Sequence, residues 1–142
     1  MATLTATTEG GFRDKIRAIT ARVNERVVKR MQGTTLTLTH ALIMGTPVLT
    51  GKARGNWQVS LDSANTDVLD IRSADEAFSE AQTVVAAMTV NSEIYVVNNV
   101  PYIIAINTGH SKKVPEGWIE AAIAGVHTLG ISATFTESPD SG

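Results

Sequence analysis

The chain has 142 residues, enough for one domain with a modest core, and its 43% hydrophobic and 18% charged content argues against wholesale disorder. It contains no cysteine, which excludes a disulfide framework and a thiolate metal site. The net charge of −2 hides an asymmetry, because residues 12–31 hold Arg13, Lys15, Arg17, Arg22, Arg26, Lys29 and Arg30 against Asp14 and Glu25, whereas residues 62–80 hold Asp62, Asp67, Asp70, Asp75, Glu76 and Glu80 against Arg72 alone.

Residues 1–10 are polar and Thr-rich and are expected to form a flexible N-terminal arm. They lack the charged-then-apolar order of a secretory signal, and no apolar run approaches the roughly 20 residues that span a bilayer, so a soluble cytoplasmic product is expected. From Phe12 the apolar positions Phe12, Ile16, Ile19, Val23, Val27 and Met31 follow helical spacing, which predicts one stripe of an amphipathic helix with the cations largely on its other faces. Residues 33–45 are ambiguous. Thr alternating with Leu36 and Leu38 suggests a strand, while Thr35, Leu38 and Leu42 continue the helical stripe. Helix is favoured, kinked at Gly33 and ending by Thr46, because a residue before proline avoids the helical region.

Beyond the turn around Pro47, Trp57, Val59 and Leu61 alternate with Asn56, Gln58 and Ser60, as a half-buried strand requires. Residues 68–72 are a candidate for a short extended segment. Ser73 and Glu76 have capping-box spacing, and Phe78, Ala81, Val85 and Met88 mark a helix after it. Residues 93–97 are rich in β-branched side chains and read as a strand. Pro115 can open a last helix as its first residue, with Ile119, Ala122, Ile123 and Val126 on the inner face. The order predicts an α+β fold: a long N-terminal helix and a small, mainly antiparallel sheet covered by two further helices. Residues 11–130 form one domain in this reading, and residues 131–142 a flexible C-terminal tail.

Catalysis needs titratable groups that converge, and few are available. His40, His110 and His127 share no metal-ligand spacing, Ser111 lies in no nucleophile elbow, and Asp75-Glu76 is accounted for by a helix start. The glycines around Gly51-Lys52 miss the phosphate-loop pattern, since Ala53 follows and Gly45 lies one residue too far upstream. No enzyme, cofactor or metal is expected.

Two segments are more informative. The first is Thr46-Pro47-Val48-Leu49-Thr50-Gly51-Lys52-Ala53-Arg54-Gly55-Asn56-Trp57. The second runs from Ile94-Tyr95-Val96-Val97-Asn98-Asn99-Val100-Pro101-Tyr102 through Thr108-Gly109-His110-Ser111 to Val114-Pro115-Glu116-Gly117-Trp118. Together they resemble the tailed-phage family of minor tail or neck proteins, also called tail-completion proteins, whose members carry a "TPVDTGRARxNW" turn followed by "IYISNNLPYA…LEYGHS…APxGM". The resemblance covers roughly residues 12–128. It implies a virion structural protein at the head–tail connector, a ring-forming subunit made in the host cytoplasm that joins the portal to the tail. It further implies a homo-oligomer, with a hexamer favoured and a dodecamer open. The implied neighbours are a portal-side adaptor or stopper and tail-terminator or tail-tube proteins. Genome DNA would pass through the lumen without sequence-specific binding, and no membrane is involved. Three departures stand out: Leu49 replaces an aspartate, Ile106-Asn107-Thr108 replaces "LEY", and Trp118 replaces a methionine.

The matched residues also have physical readings of their own. Pro47 and Gly51 can reverse the chain, and Thr46 and Thr50 can cap backbone groups there. Arg54 can reach a carboxylate or phosphate bidentately, or make an intrachain ion pair. Trp57 suits core packing better than an interface. Asn98, Asn99 and Pro101 read as turn formers, and Tyr102 suits a core edge or a subunit contact. Gly109 and His110 with Lys112 and Lys113 form a basic loop, and Pro115 closes the motif. Arg22, Arg26, Lys29, Arg30, Lys112 and Lys113 are the candidates for touching DNA or an acidic partner. The alternative function is a small nucleic-acid-binding module using the basic helix. Against it, the chain is slightly acidic overall and offers no aromatic stacking platform.

Overall fold

The computed structural model describes residues 2–48, 50–110 and 112–127. Leu49, Ser111 and the tail expected at 131–142 lie outside the described residues. The chain runs α1 (Ala2–Gly45), α2 (Lys52–Gly55), β1 (Gln58–Leu61), α3 (Ala74–Ala86), β2 (Ile94–Val97), α4 (Ile103–Ala105) with a π-helical turn (Ile106–His110), and α5 (Trp118–His127). This is the α+β arrangement expected, and among the described residues the sheet has two strands. They pair antiparallel in the register Gln58↔Val97, Val59↔Val96, Ser60↔Tyr95 and Leu61↔Ile94.

Helix α1 passes through Gly33 without a break, and its backbone is helical from Ala2. The strand-like alternation after Gly33 is absorbed because threonine can satisfy its own hydroxyl inside a helix. Thr37 donates to the Gly33 carbonyl at 2.8 Å, and the fully buried Thr39 donates to the Thr35 carbonyl at 2.7 Å. With those hydroxyls bonded, Leu38, Leu42 and Ile43 turn into the core, where they meet Trp57, Val100 and Ile119. A second cluster of Val59, Ala81, Val85 and Met88 packs under Met31 and Leu36. Each fully buried aliphatic side chain contributes about 1.5–3 kcal/mol, so residues 31–45 anchor the helix to the body.

The first half of the same stripe behaves differently. Phe12, Ile16, Ile19, Val23 and Val27 are 39–64% exposed, so they contribute little burial within the chain. The helix outruns its own body by more than four turns.

Several local expectations need correction. Trp57 precedes β1, and Gln58 is buried along with Val59, so this strand is covered on both faces at its start. Residues 68–72 form no strand, because their backbone is held by side chains instead of a ladder. Helix α5 begins at Trp118, three residues after Pro115, since Gly117 has φ +77°, which no right-handed helix accommodates. The Ser73 cap is present, its Oγ accepting from the Glu76 N–H at 3.1 Å. Ile119 and Val126 are buried, with Ala122 and Ile123 packed against them as the spacing predicts.

Two glycines of α1 and α2 are set apart by what surrounds them. A Cβ on Gly33 meets open space, whereas one on Gly55 runs into the backbone carbonyl of Arg72. Gly33→Ala should therefore raise unfolding stability by up to about 1 kcal/mol, the helix-propensity difference. Gly55→Ala should lower it by about 1–3 kcal/mol, the usual cost of overpacking. Urea melts of the two variants check both signs.

Candidate functional site

The end of α1 is the point around which the two motif segments gather. Thr46, fully buried, donates its hydroxyl to the Leu42 carbonyl at 2.6 Å and accepts from Trp57 Nε1 at 2.8 Å. Arg54 donates from Nε to the Thr46 carbonyl at 3.0 Å and from Nη2 to the Met44 carbonyl at 3.4 Å. Its planar fork thus caps the last carbonyls of α1, where a cation is favourable, and its resolved partners are neither a carboxylate nor a phosphate. Trp57 stacks edge-on against Trp118, centroids 6.3 Å apart, which draws the start of α5 onto the same node.

The second motif locks onto the first. Asn98 donates from Nδ2 to the Ala53 carbonyl at 2.8 Å while its Oδ1 accepts from the Val100 N–H at 3.2 Å. Asn98 is a turn former, as expected, and also a clamp across 45 residues. Asn107 stands where the resembled motif has glutamate. It accepts from the Ile119 N–H at 3.0 Å and donates to both carboxylate oxygens of Glu120, so its buried amide caps the N-terminus of α5.

Asparagine and glutamine side chains also hold residues 65–69. Asn56, fully buried, donates to the Leu69 carbonyl at 3.1 Å and accepts from the Leu69 N–H at 2.7 Å, the exchange that a neighbouring strand would make. It also donates to the Lys52 carbonyl at 2.7 Å. Gln58 donates to the Asp67 carbonyl, and Asn99 to the carbonyls of Asn65 and Asp67. Arg72 closes the far end, donating to the carbonyls of Gly55 and Trp57 and pairing with Glu80. The result is an acidic strap, residues 62–72, tied to the body through its backbone. Its side chains Asp67, Val68, Asp70 and Ile71 face outward and are exposed. Sequence reading missed the strap because side-chain amides bonding to distant carbonyls leave no periodic signal.

Other residues singled out by sequence fall into two groups. Pro47, Thr50, Gly51, Ala53, Tyr102 and Ile106 line a cleft of ≈ 450 Å³ whose lining also includes Lys52, Lys112 and Lys113. Gly51 takes φ +86° at the start of α2, and the Thr50 hydroxyl accepts from the Lys52 N–H. Lys113 donates to the Val48 carbonyl at 3.0 Å. Pro101 and Pro115 are exposed, and Gly109 takes φ +99° beside His110. Tyr102 and the three lysines are the titratable side chains in its lining.

The second group lies on α1. Arg22, Arg26, Lys29 and Arg30 are exposed on the projecting part, and Lys29 pairs with Glu25 at 2.9 Å, which holds the Glu25 carboxyl below its usual range. At about 100° per residue, Asp14 and Glu25 fall roughly opposite the apolar stripe, while Lys15, Arg26 and Arg13 flank it. The stripe therefore has cationic margins and the anions lie on its back.

Among the described residues no group of three His, Asp or Glu is placed to hold a metal ion, and no helix is long and apolar enough to cross a membrane. Comparison of the chain with known protein families, with curated proteins and with solved structures gives no significant match.

Asn56→Ala should cost roughly 2–4 kcal/mol, because it removes the partner of the half-buried Leu69 N–H and of the Leu69 and Lys52 carbonyls. It should also raise the hydrogen-exchange rate of the Leu69 amide well above that of Val59 in β1. A second comparison isolates the Thr46 node. Trp57→Phe should cost about 1 kcal/mol more than Trp118→Phe in chemical denaturation, since Trp118 Nε1 has no hydrogen-bond partner among the described residues.

Proposed function

We propose that this chain is a ring-forming structural subunit of a tailed-phage virion, placed at the neck between the portal complex and the tail. The observation that carries the reading is the row of exposed large apolar side chains, Phe12 to Val27, on a helix that extends past its own folded body. A soluble monomer rarely leaves such a row uncovered, and a surface of this kind usually marks a contact with protein. The helix also needs a partner for its own sake. Most helical stability in proteins comes from packing an apolar face rather than from propensity.

The motif resemblance supports the same reading. Its two segments converge in space, with Asn98 on Ala53 and Trp57 beside Trp118, so they act as one structural unit at the end of α1. Their side chains cap, clamp and pack. A rigid body with a protruding arm fits a head-to-tail contact, in which one surface meets a different surface of the next copy and rotation closes the ring. Six copies match the symmetry that the resemblance implies, and the portal-side adaptor and the tail tube are the neighbours on either side. Duplex DNA in the lumen would meet basic side chains without sequence readout. A nucleic-acid-binding module is the weaker reading, because phosphates gain nothing from the apolar row at the centre of the basic face.

Native mass spectrometry and negative-stain microscopy of the purified protein test this. A closed ring is expected, six-fold in the first instance, and Val23→Asp should dissolve it while leaving the melting temperature of the monomer within a few degrees. A chain that stays monomeric up to millimolar concentration and is absent from virions would end the proposal.

A further inference from the structure

The exposed stripe of α1 needs an occupant, and the chain itself narrows the choice. Pairing two α1 stripes would bring Lys15, Arg22 and Arg26 of one helix against the same cations of another, and like charges across a contact disfavour it. The cleft near Tyr102 is lined by Lys52, Lys112 and Lys113, so it repels the basic margins as well. One described surface has the opposite character. The strap places Asp67 and Asp70 in the open beside Val68 and Ile71, which are 45% and 61% exposed, and Asp75 and Glu76 continue the acidic run into the first turn of α3. Apolar groups with acidic margins face outward there, the converse of apolar groups with basic margins on α1.

Dimensions agree too. Phe12 to Val27 spans about 23 Å at roughly 1.5 Å per residue. The ten residues 62–71 can reach at most about 30 Å, long enough to lie along that row. Both surfaces are exposed within one chain, so they do not satisfy each other intramolecularly.

We infer that the stripe of α1 docks on the acidic strap of a second copy of this chain, with Val68 and Ile71 seated along the Phe12–Val27 row and Asp67 and Asp70 facing Arg22 and Arg26. The inference rests on the ring reading and names its interface. It gives that interface a direction, since each copy offers one helix and one strap. The strap suits docking because its backbone is already anchored by Asn56, Gln58 and Asn99, so little ordering remains to be done on contact.

The absence of native cysteine makes the contact directly testable. Single variants V23C and V68C, mixed and gently oxidised, should form a disulfide-linked heterodimer, and the double variant a ladder of higher multiples. In parallel, R22E/R26E and D67K/D70K should each weaken assembly at least tenfold, while a one-to-one mixture of the two should assemble to within threefold of the wild type. Circular dichroism and melting of each variant show that it is folded. If wild-type rings form but V23C and V68C do not cross-link and the charge reversals change nothing, the docking inference falls and the ring reading stands. If V23C links only to itself, helix pairing replaces it. If neither rings nor cross-links form, the docking inference falls, and the ring reading falls with it when virions also lack the protein.

Discussion

Thr46 sits at the meeting of three directions of chain. It has a backbone N–H and a hydroxyl turned back into α1, a carbonyl held by Arg54, and an Oγ that receives the indole of Trp57. A buried hydroxyl without partners costs roughly 1–3 kcal/mol, and here it has two. The consequence is positional. The same residue that ends the long helix fixes where the next segment begins, and through Trp57 and Trp118 it fixes where α5 packs. Proline at 47 prevents the helix from overrunning this point. These bonds act together with the packing of residues 31–45 to hold the helix on the body.

The elements that were legible in the sequence were those with a period. α1 from Phe12 to Met31, α3 with its Ser73 cap, the inner face of α5 and the two strands all follow from spacing of apolar residues and local caps. What was not legible depends on contacts between distant residues. Arg54 could be predicted to meet an anion, but whether a carboxylate or a row of carbonyls lies in reach depends on where α1 stops. Asn56, Asn98, Asn99 and Asn107 look like turn residues in one dimension. In three they hold residues 13 to 45 positions away, and nothing in their immediate neighbours announces it. The exposure of Phe12 to Val27 was the hardest feature to foresee, because the same pattern that buries Leu38 and Leu42 is repeated without a body to receive it.

Charge follows the same division. At the buried end of α1 the acceptors are neutral carbonyls and a hydroxyl, with the Arg54 guanidinium as a charged donor to two of the carbonyls. The exposed end and the strap carry the charged side chains, where screening is effective beyond about 8–10 Å. The body and the exposed surfaces thus draw on different physical terms within one small chain.

The manner in which the strap is fastened has a further consequence. Asn56, Gln58 and Asn99 grip main-chain groups of Asn65, Asp67 and Leu69, so the anchor is indifferent to which side chains the strap displays. A related chain can exchange Asp67, Val68 or Asp70 for quite different residues and keep the loop where it is. Such an arrangement lets the displayed face of the strap diversify while the scaffold stays constant, as a cassette does, through substitutions at positions that stability does not constrain.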